Sequence, residues 1–557
     1  MKKLFLSFLG LTLVLTSFAQ NKYWVYYGDK SECFDPLIYF SEKAIERRIL
    51  QGIPLVQETD KPVNLAYSET VKSIVNEEKV VSRWFNASCV MASDEQINEV
   101  KELPFVSRVE SVISSRANVC GSTNDELYDI SEDDKDLLTA QINRMRGKRF
   151  IDKGVNGKGV RIAVFDIGFE SWKTNPAFEH LRKGNQILKT YDFVKKRENV
   201  DGYNEHGTFV LSCIAGKIEG QNIGLATGAE FLLARTETWR EFYSEEEYWV
   251  QAAEWADKEG ADIINSSLGY TYHRYFPEQM NGRHSLVSKA AGIAVSKGIL
   301  VVNSAGNDGD NDWKIVGAPA DNDSVLSIGG IKPYSGIHTS FSSFGPNANR
   351  HLKPNVTGYG HVIGSGPKGV SETQGTSFSS PLIAGFAACA KQLRPAYNAM
   401  ALFHEIEKSS DLYPYFDYAH GYGVPQASHF FGDLSAQAIS FNFINENTLV
   451  RIELAEKDTS AIDDEEPEYQ HTKWPNYVFF HIENKKGYLD KYFVVDPVDY
   501  MEMALKAADE DITEQSLEEI EPLHGGEGPL TIKKSDYSKP FIIRAYYKGY
   551  SSEITIE

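Results

Sequence analysis

The chain has 557 residues, of which 42% are hydrophobic and 24% are charged, and its formal net charge is −21. This composition is typical of a soluble globular protein, and the length allows three or four domains of roughly 150 residues each. The acidic excess argues against a face that binds nucleic acid, because such a face needs clustered Lys and Arg.

Residues 1–19 have the pattern of a secretory signal. Lys2 and Lys3 precede an apolar run over residues 4–15 and a small-residue cleavage site at 17–19. The run is short for a membrane-spanning helix, and no later stretch is long and apolar enough to cross a bilayer. We therefore expect an exported monomer that is secreted, periplasmic or held at the cell surface, with no membrane span.

Five cysteines are too few for a disulfide scaffold, and their odd number leaves at least one unpaired in a monomer. Cys213 and Cys389 lie in apolar, helix-like runs, which is typical of small buried hydrophobic residues. Cys33 and Cys89 could pair with each other. The sequence leaves that pairing, and the state of Cys120, open.

Residues 20–118 mix strand and helix patterns. The stretch 23–27 is strand-like, 41–50 is helix-like, 80–91 is rich in strand, and 106–113 is a further strand. Ser93 and Gln96 form a capping-box pattern that predicts a helix through residue 103. A small α+β module follows from this mixture. An acidic, exposed linker is predicted at 119–136, so the module has the position of a removable pro-region.

Residues 137–433 alternate short apolar strands with helices. Examples are the strand at 160–165, the helix at 206–215 and the strand at 299–303. This alternation predicts an α/β fold with a doubly wound, mainly parallel sheet, in which ligands bind at the carboxyl ends of the strands. Asp166 and Asn307 each follow a predicted strand. We expect them at one edge of the sheet, together with His206 and Ser377.

Ser377 precedes an apolar, helix-like run at 378–393, in which Pro381 is expected in the first turn. Unpaired N–H groups and the positive end of the helix dipole converge there, which suits a nucleophile whose reaction develops an oxyanion. Ser377 alone could equally be the N-cap of a buried helix. The order Asp166, His206, Ser377 favours catalysis, because a serine needs an imidazole to take its proton and a carboxylate to fix the imidazole tautomer.

That order and the local strings resemble the subtilisin-like serine proteases, or subtilases, over about residues 150–430. The resemblance implies that Asp166 orients His206, that His206 is general base and then acid, and that Ser377 is the nucleophile. It further implies an oxyanion hole formed by the Asn307 side chain and the Ser377 N–H. The strings that carry it are 157–166, 206–208, 265–269, 304–307 and 375–377.

The same resemblance implies a binding edge for an extended protein or peptide substrate, formed by Ser267, Leu268, Gly269, Ala305 and Gly306. Gly317 lies where the family shapes the pocket for the residue before the cut, and a glycine there implies tolerance of a large apolar side chain. The reaction needs no cofactor.

Two positions depart from the family pattern. Ile167 stands where Ser or Thr is usual, and residues 209–213 lack the second His that is common there. Neither change removes a catalytic group. The 20–118 module resembles the inhibitory pro-regions of these enzymes, which implies that it assists folding, occupies the active site and is removed by self-cleavage.

The acidic stretch 308–312, with Asp321 and Asp323 nearby, could hold a structural calcium ion. No complete ligand spacing is visible, so a solvated acidic loop is the alternative, and no metal ligands are predicted.

Residues 434–557 change character again and predict a β-sandwich-like accessory domain. Its role, stabilising or binding, stays open. The predicted strands are 439–443, 449–454, 477–483, 492–495, 530–533, 540–547 and 553–556.

The sequence therefore predicts a secreted, self-processing serine endopeptidase. A catalytically inert binding protein on the same fold is the alternative. An esterase is disfavoured, because its Gly-x-Ser-x-Gly motif is absent and its residue order differs.

Overall fold

The computed structural model describes residues 21–112, 132–238, 244–272, 274–333, 335–432, 438–455, 477–497 and 530–557. The predicted signal and residues 119–131 of the predicted linker lie outside these ranges. The chain forms two compact units, one from Met1–Phe34 and Val56–Ser114, the other from Asp35–Leu55 and Ser115–Glu557. Within the described ranges, no helix has the length and apolar character needed to cross a membrane.

The first unit is an antiparallel sheet covered by two helices. Its elements are β1 (Asn21–Tyr27), α3 (Leu65–Ile74), β2 (Glu77–Ser82), β3 (Ala87–Ala92), α4 (Asp94–Lys101) and β4 (Val106–Val112). The strands pair in the order β2-β3-β1-β4. Val25, Val71 and Val100 share one core between sheet and helices. The predicted capping box is present, since Ser93 Oγ accepts from the Gln96 N–H and Gln96 Oε1 accepts from the Ser93 N–H.

The second unit contains a wholly parallel sheet in the order β13-β12-β11-β10-β5-β9-β6. Its strands are β5 (Arg161–Asp166), β6 (Ile187–Asp192), β9 (Glu230–Arg235), β10 (Ile263–Ser266), β11 (Leu300–Ser304), β12 (Leu326–Ile331) and β13 (Val356–Tyr359). The central strands are buried on both faces, as apolar runs such as 162–165 require. The predicted parallel α/β fold is confirmed; β6, β12 and β13 were not predicted.

Helices pack on this sheet, with α8 against α11 and α9 against α10. The helices of the unit are α1 (Pro36–Tyr39), α2 (Glu42–Leu50), α5 (Glu132–Asn143), α6 (Lys148–Asp152), α7 (Glu179–Lys183), α8 (His206–Ala215), α9 (Ser244–Lys258), α10 (Leu286–Ser296), α11 (Thr376–Leu393) and α12 (Ala399–Ser409). Two small hairpins are added by β7 (Lys217–Ile218) with β8 (Gln221–Asn222) and by β14 (His361–Gly366) with β15 (Gly369–Gln374).

Two local predictions need correction. α11 begins at Thr376, so Ser377 lies inside the first turn and Pro381 lies in the helix interior. Gly375, at φ 136°, ends the preceding strand and lets the helix start before the apolar run begins. The last residues of the predicted linker, 132–136, belong to helix α5, because Leu137 and Leu138 bury the apolar side of that helix.

The C-terminal region forms a three-stranded and a four-stranded antiparallel sheet. Phe441 and Val450 of one sheet share a core with Phe480 and Ile543 of the other, as a sandwich requires. The predicted β-rich region is confirmed. Its strands are β16 (Phe441–Asn445), β17 (Leu449–Leu454), β18 (Val478–Asn484), β19 (Leu489–Val495), β20 (Thr531–Lys533), β21 (Phe541–Tyr547) and β22 (Tyr550–Ile556).

The cysteines with predicted burial are buried. Cys213 and Cys389 lie in α8 and α11 with no exposed surface. Cys33 is a free, exposed thiol, so the possible Cys33–Cys89 disulfide is not formed.

Candidate active site

The polar residues predicted from the sequence lie at the carboxyl ends of three adjacent strands. Asp166 is the last residue of β5, Ser267 follows β10, and Asn307 comes three residues after β11. These strands are neighbours in the order β11-β10-β5. His206 is the first residue of α8, and Ser377 lies in the first turn of α11. The topology therefore brings two helix starts to the edge at which parallel sheets bind ligands.

Asp166 and His206 form a hydrogen-bonded pair in which Asp166 is buried and the His206 side chain is 24% exposed. His206 Nδ1 lies 2.8 Å from Asp166 Oδ1 and 3.0 Å from Oδ2. Asp166 is 1% exposed, and its Oδ1 also accepts the Ile167 N–H at 2.8 Å. Burial disfavours the charged imidazolium, but the Asp166 carboxylate outweighs this effect and raises the pKa of His206. The pair is thus arranged to hold the Nδ1 proton and to leave Nε2 as a base.

A close backbone approach holds this pair in place. The Gly207 N–H donates to Gly168 O at 3.0 Å. A Cβ on Gly207 would lie 2.3 Å from that oxygen and 2.9 Å from Asp166 Cβ. Only glycine fits at position 207, which explains why a glycine directly follows the histidine.

Ser377 is held through its neighbour Ser267. Pro381 has no N–H to donate to the carbonyl four residues earlier, so the Ser377 carbonyl lacks its helical partner. Ser267 Oγ takes that place and donates to Ser377 O at 2.8 Å. Sequence reasoning missed this role, although a proline four residues after Ser377 was its signal.

The Ser377 hydroxyl contacts a main-chain carbonyl rather than the His206 imidazole. Its Oγ lies 3.4 Å from Ser267 O, and no hydrogen bond to His206 is present among the described residues. The His206 ring does pack on Phe378, the next residue, with ring centroids 5.3 Å apart. Contacts between a serine hydroxyl and its base are often long without substrate, so this arrangement is compatible with a nucleophile–base pair in the substrate complex.

Asn307 has a fixed amide orientation. Its Oδ1 accepts from the Thr376 N–H and from Thr376 Oγ1, each at 2.9 Å. The amide nitrogen is therefore the end available to a ligand. Nδ2 would lie 3.5 Å from a Cβ built on Gly375, which places it beside the start of α11. Thr376 thus aims the Asn307 amide, a role that sequence reasoning did not assign.

The predicted binding edge divides into two parts. Leu268 O accepts from Asn303 Nδ2 at 2.9 Å, whereas the main chain of Gly269 makes no hydrogen bond to another described residue. Ala305 uses its N–H on Ile328 O and its carbonyl on the Gly317 N–H. Gly306 O accepts from Thr376 Oγ1 and from the Ser343 N–H. The main chain of Gly269 is therefore available to pair with a substrate, whereas the main-chain groups of Ala305 and Gly306 named above already have partners within the fold.

The environment of Gly317 is narrower than the sequence suggested. A Cβ at this position would lie 2.6 Å from Thr271 Cγ2 and 3.3 Å from Tyr270 O. The space next to Gly317 is therefore taken by Thr271. Tolerance of a large apolar side chain at this subsite stays a prediction.

The acidic residues after Asn307 make separate hydrogen bonds. Asp308 Oδ1 accepts from Asn311, Asp321 Oδ2 from the Gly282 N–H, and Asp323 Oδ1 from Asn347. Within the described part of the chain, no three His, Cys, Asp or Glu side chains lie close enough together to hold a metal ion. These carboxylates do not converge on one point, so they do not fit a calcium cage as they stand.

Comparison with known proteins gives matches in both units. A family model described as the subtilase family matches residues 157–423, and one described as the peptidase S8 propeptide domain of Bacteroidota matches 22–126.

Two curated relatives and one solved structure illustrate the similarity. The major intracellular serine protease of Bacillus subtilis (strain 168) is 27% identical over 276 residues, which cover 48% of this chain and 78% of that one. An intracellular serine protease of Paenibacillus polymyxa is 30% identical over 249 residues, covering 43% and 69%. A solved cold-adapted subtilisin-like serine proteinase aligns at 20% identity with a TM-score of 0.39, over 49% of this chain and 88% of that chain.

Proposed function

Because this chain belongs to the subtilase family and carries a subtilase propeptide domain, we propose that it is the exported precursor of a serine endopeptidase that works through Asp166, His206 and Ser377. Membership makes it a subtilisin-like serine endopeptidase; the residue roles, the export and the self-processing are the proposal. One observation carries it. Both Asp166 oxygens lie within 3.0 Å of His206 Nδ1, at the sheet edge that also bears Ser377 and Asn307.

The first half of the reaction forms an acyl-enzyme. Ser377 Oγ attacks the carbonyl carbon of the scissile peptide bond and gives its proton to His206 Nε2. Asp166 stabilises the imidazolium through Nδ1–H. The oxyanion of the tetrahedral intermediate accepts from Asn307 Nδ2 and from the Ser377 N–H, which lies in the first helical turn and has no internal acceptor among the described residues.

The acyl-enzyme forms when His206 gives its proton to the leaving amine, which departs as the C–N bond breaks. The second half of the reaction returns the enzyme to its starting state. A water molecule then attacks the acyl carbon, His206 Nε2 takes the water proton, and Ser377 Oγ leaves with that proton when the acid product is released.

The substrate is an extended segment of protein or peptide. Pairing with the open main chain of Gly269 provides affinity without sequence selection. The residue before the cut lies near Gly317 and Thr271, where we expect a large apolar side chain to be tolerated. A peptide library cleaved only after Arg or Lys contradicts this tolerance.

The pro-region is the first substrate. We propose that it assists folding, inhibits the enzyme and is cut off by Ser377 near the linker at 119–136. The propeptide-domain match over 22–126 supports this assignment, because it ends within that linker.

Intact mass after export tests the proposal directly. Wild type should lose the signal and roughly 100–120 residues of pro-region, and Ser377→Ala should lose only the signal. If both proteins keep the segment and wild type does not react with a fluorophosphonate probe, the triad assignment fails. If both lose it, another protease cuts, and fluorophosphonate labelling of wild type but not of Ser377→Ala is then the deciding result for the triad.

A further inference from the structure

A segment of the propeptide domain belongs structurally to the catalytic unit. The chain leaves the first unit after Phe34, and Asp35–Leu55 joins the second unit before the chain returns at Val56. The segment carries α1 and α2, and Ser41 caps α2 by accepting from the Ala44 N–H. The sequence predicts this helix but not its location, because partners such as Asp257 and Gly298 lie more than 200 residues further along the chain.

Two adjacent arginines attach α2 to the end of α9. Arg47 is 2% exposed and Arg48 is fully buried. Arg47 donates to Asp257 Oδ1 and to Ala261 O. Arg48 Nη2 lies 2.9 Å from Asp257 Oδ2 and 3.2 Å from Oδ1. The Asp257 carboxylate thus binds two guanidinium groups away from solvent. Removal of the carboxylate or of the guanidinium groups leaves buried charge without its partner.

Hydrogen bonds from the segment to main-chain carbonyls extend this docking site on both sides of Asp257. The Ser41 N–H donates to Lys258 O at 2.9 Å. Lys43 Nζ donates to Gly159 O at 2.7 Å, and Gln51 Nε2 donates to Gly298 O at 3.1 Å. These acceptors precede β5 and β11, so the segment crosses the amino ends of the central strands.

The surface fits the segment closely. A Cβ on Gly260 would lie 2.7 Å from the Ala44 nitrogen, and one on Gly298 would lie 2.5 Å from Ile53 Cδ1. Both glycines therefore leave room for the backbone or side chains of the segment. Packing of this kind is specific to the occupant that is seen there.

The docking site and the active site lie at opposite ends of the same strands. β5 begins at Arg161, next to the segment, and ends at Asp166 in the triad. Six residues of strand span roughly 20 Å. The segment therefore cannot act by covering Ser377, and its function must differ from inhibition by occupancy of the substrate site.

We propose that the surface around Asp257 is a second, remote docking site for the pro-region, recognised through the Arg47–Arg48 pair, and that it retains the pro-region on the enzyme after the linker is cut. The retention rests on the proposed self-processing; the docking itself does not. Its occupant is the excised pro-region of the same chain, whose two buried cations complement Asp257 and the neighbouring carbonyl groups.

The docking is tested in the full-length Ser377→Ala protein, which cannot cut itself. Hydrogen–deuterium exchange is compared for this parent, for Arg47→Gln/Arg48→Gln, and for the control Arg108→Gln. Arg108 is a half-exposed arginine of the first unit. Its replacement removes a guanidinium charge at a position away from the docking site.

We expect the double variant to exchange faster by about a hundredfold or more in peptides 41–52, 256–263 and 297–301, the change that corresponds to breaking a buried ion pair. The rest of the second unit and the control should match the parent. Unchanged exchange in those three peptides overturns the proposal. If the double variant unfolds throughout, Arg48→Lys must produce the local change instead, because lysine keeps the charge but has no second nitrogen to contact the Pro54 and Leu55 carbonyls while the first contacts Asp257.

Retention is tested in the active chain. After processing, the pro-region should co-elute with the catalytic unit in size-exclusion chromatography, and it should separate from it in Arg47→Gln/Arg48→Gln. Separation in the unsubstituted protein overturns retention. If the active chain is never cut, the proposed self-processing fails, while the exchange result still decides whether the docking site exists.

Discussion

The replacement Asp166→Asn isolates the role of one carboxylate without changing its shape. The Ile167 N–H donates to Asp166 Oδ1 at 2.8 Å, so the oxygen of an asparagine amide keeps that position. The NH₂ group then takes the place of Oδ2, which lies 3.0 Å from His206 Nδ1. A donor there competes with Oδ1, which lies 2.8 Å from the same nitrogen, and stabilises the tautomer that carries the ring proton on Nε2. In that tautomer His206 can no longer take the proton of Ser377, and in the other tautomer the neutral amide does not stabilise the imidazolium.

The expected effect is large on the rate and small on the fold. The wrong tautomer should lower kcat on the order of 10⁴-fold, as in the known serine-protease triad. This corresponds to about 5 kcal/mol on the activation barrier. Because asparagine retains the volume and the Ile167 hydrogen bond, the melting temperature should shift by only a few degrees.

The rate of pro-region removal is a suitable assay, because it needs no knowledge of the natural substrate. The half-time of processing is followed by intact mass for wild type, for Asp166→Asn and for the control Asp201→Asn. Asp201 lies on a nearby loop, and its Oδ1 accepts the Ser171 N–H, a contact that the oxygen of an asparagine preserves. A half-time for Asp166→Asn within about tenfold of wild type refutes the tautomer argument.

Three further predictions concern the same site. Asn307→Asp keeps both acceptor contacts to Thr376 but removes the amide donor, so kcat should fall by about 10²–10³ with little change in KM; an unchanged kcat places the oxyanion hole elsewhere. Ser267→Ala leaves the Ser377 carbonyl without a donor and should lower kcat by roughly five- to tenfold, about 1 kcal/mol, whereas an effect on KM alone would assign it to substrate binding. Because Asp166 raises the pKa of His206, kcat/KM should fall with acid below a pKa higher than 6.5, and NMR titration of Ser377→Ala should find the His206 pKa above that value; a lower pKa contradicts the dominance of the carboxylate.

The motif residues were the most predictable part of the site. Asp166, His206 and Asn307 were placed correctly at one edge of the sheet, because parallel strands that alternate with helices must end at the same edge. The start of α11 was placed too late. An apolar periodicity marks only the buried part of a helix, whereas Thr376 and Ser377 are helical because Gly375 adopts a backbone conformation that ends the strand before them.

Contacts between distant parts of the chain were not predictable from local pattern. The helix around Arg47 and Arg48 was found from its cap and periodicity, but its place depends on one carboxylate at Asp257, about 210 residues away. The same holds for Ser267, whose hydroxyl acquires its role only when Ser377 is folded next to it. Local propensity describes elements, and long-range pairing decides which of their polar groups meet.

The distribution of thiols gives the molecule a built-in reporter. Burial raises the pKa of Cys213 to about 12 and raises that of Cys389 as well, so neither forms a reactive thiolate near neutral pH. Cys33 is exposed and lies within the propeptide domain. With Cys120 changed to serine, a maleimide dye should therefore label the pro-region at Cys33 and leave the buried thiols of the catalytic unit unlabelled. The fluorescence of the purified, labelled precursor then follows the pro-region rather than the enzyme, so its release can be measured without an antibody or a fused tag.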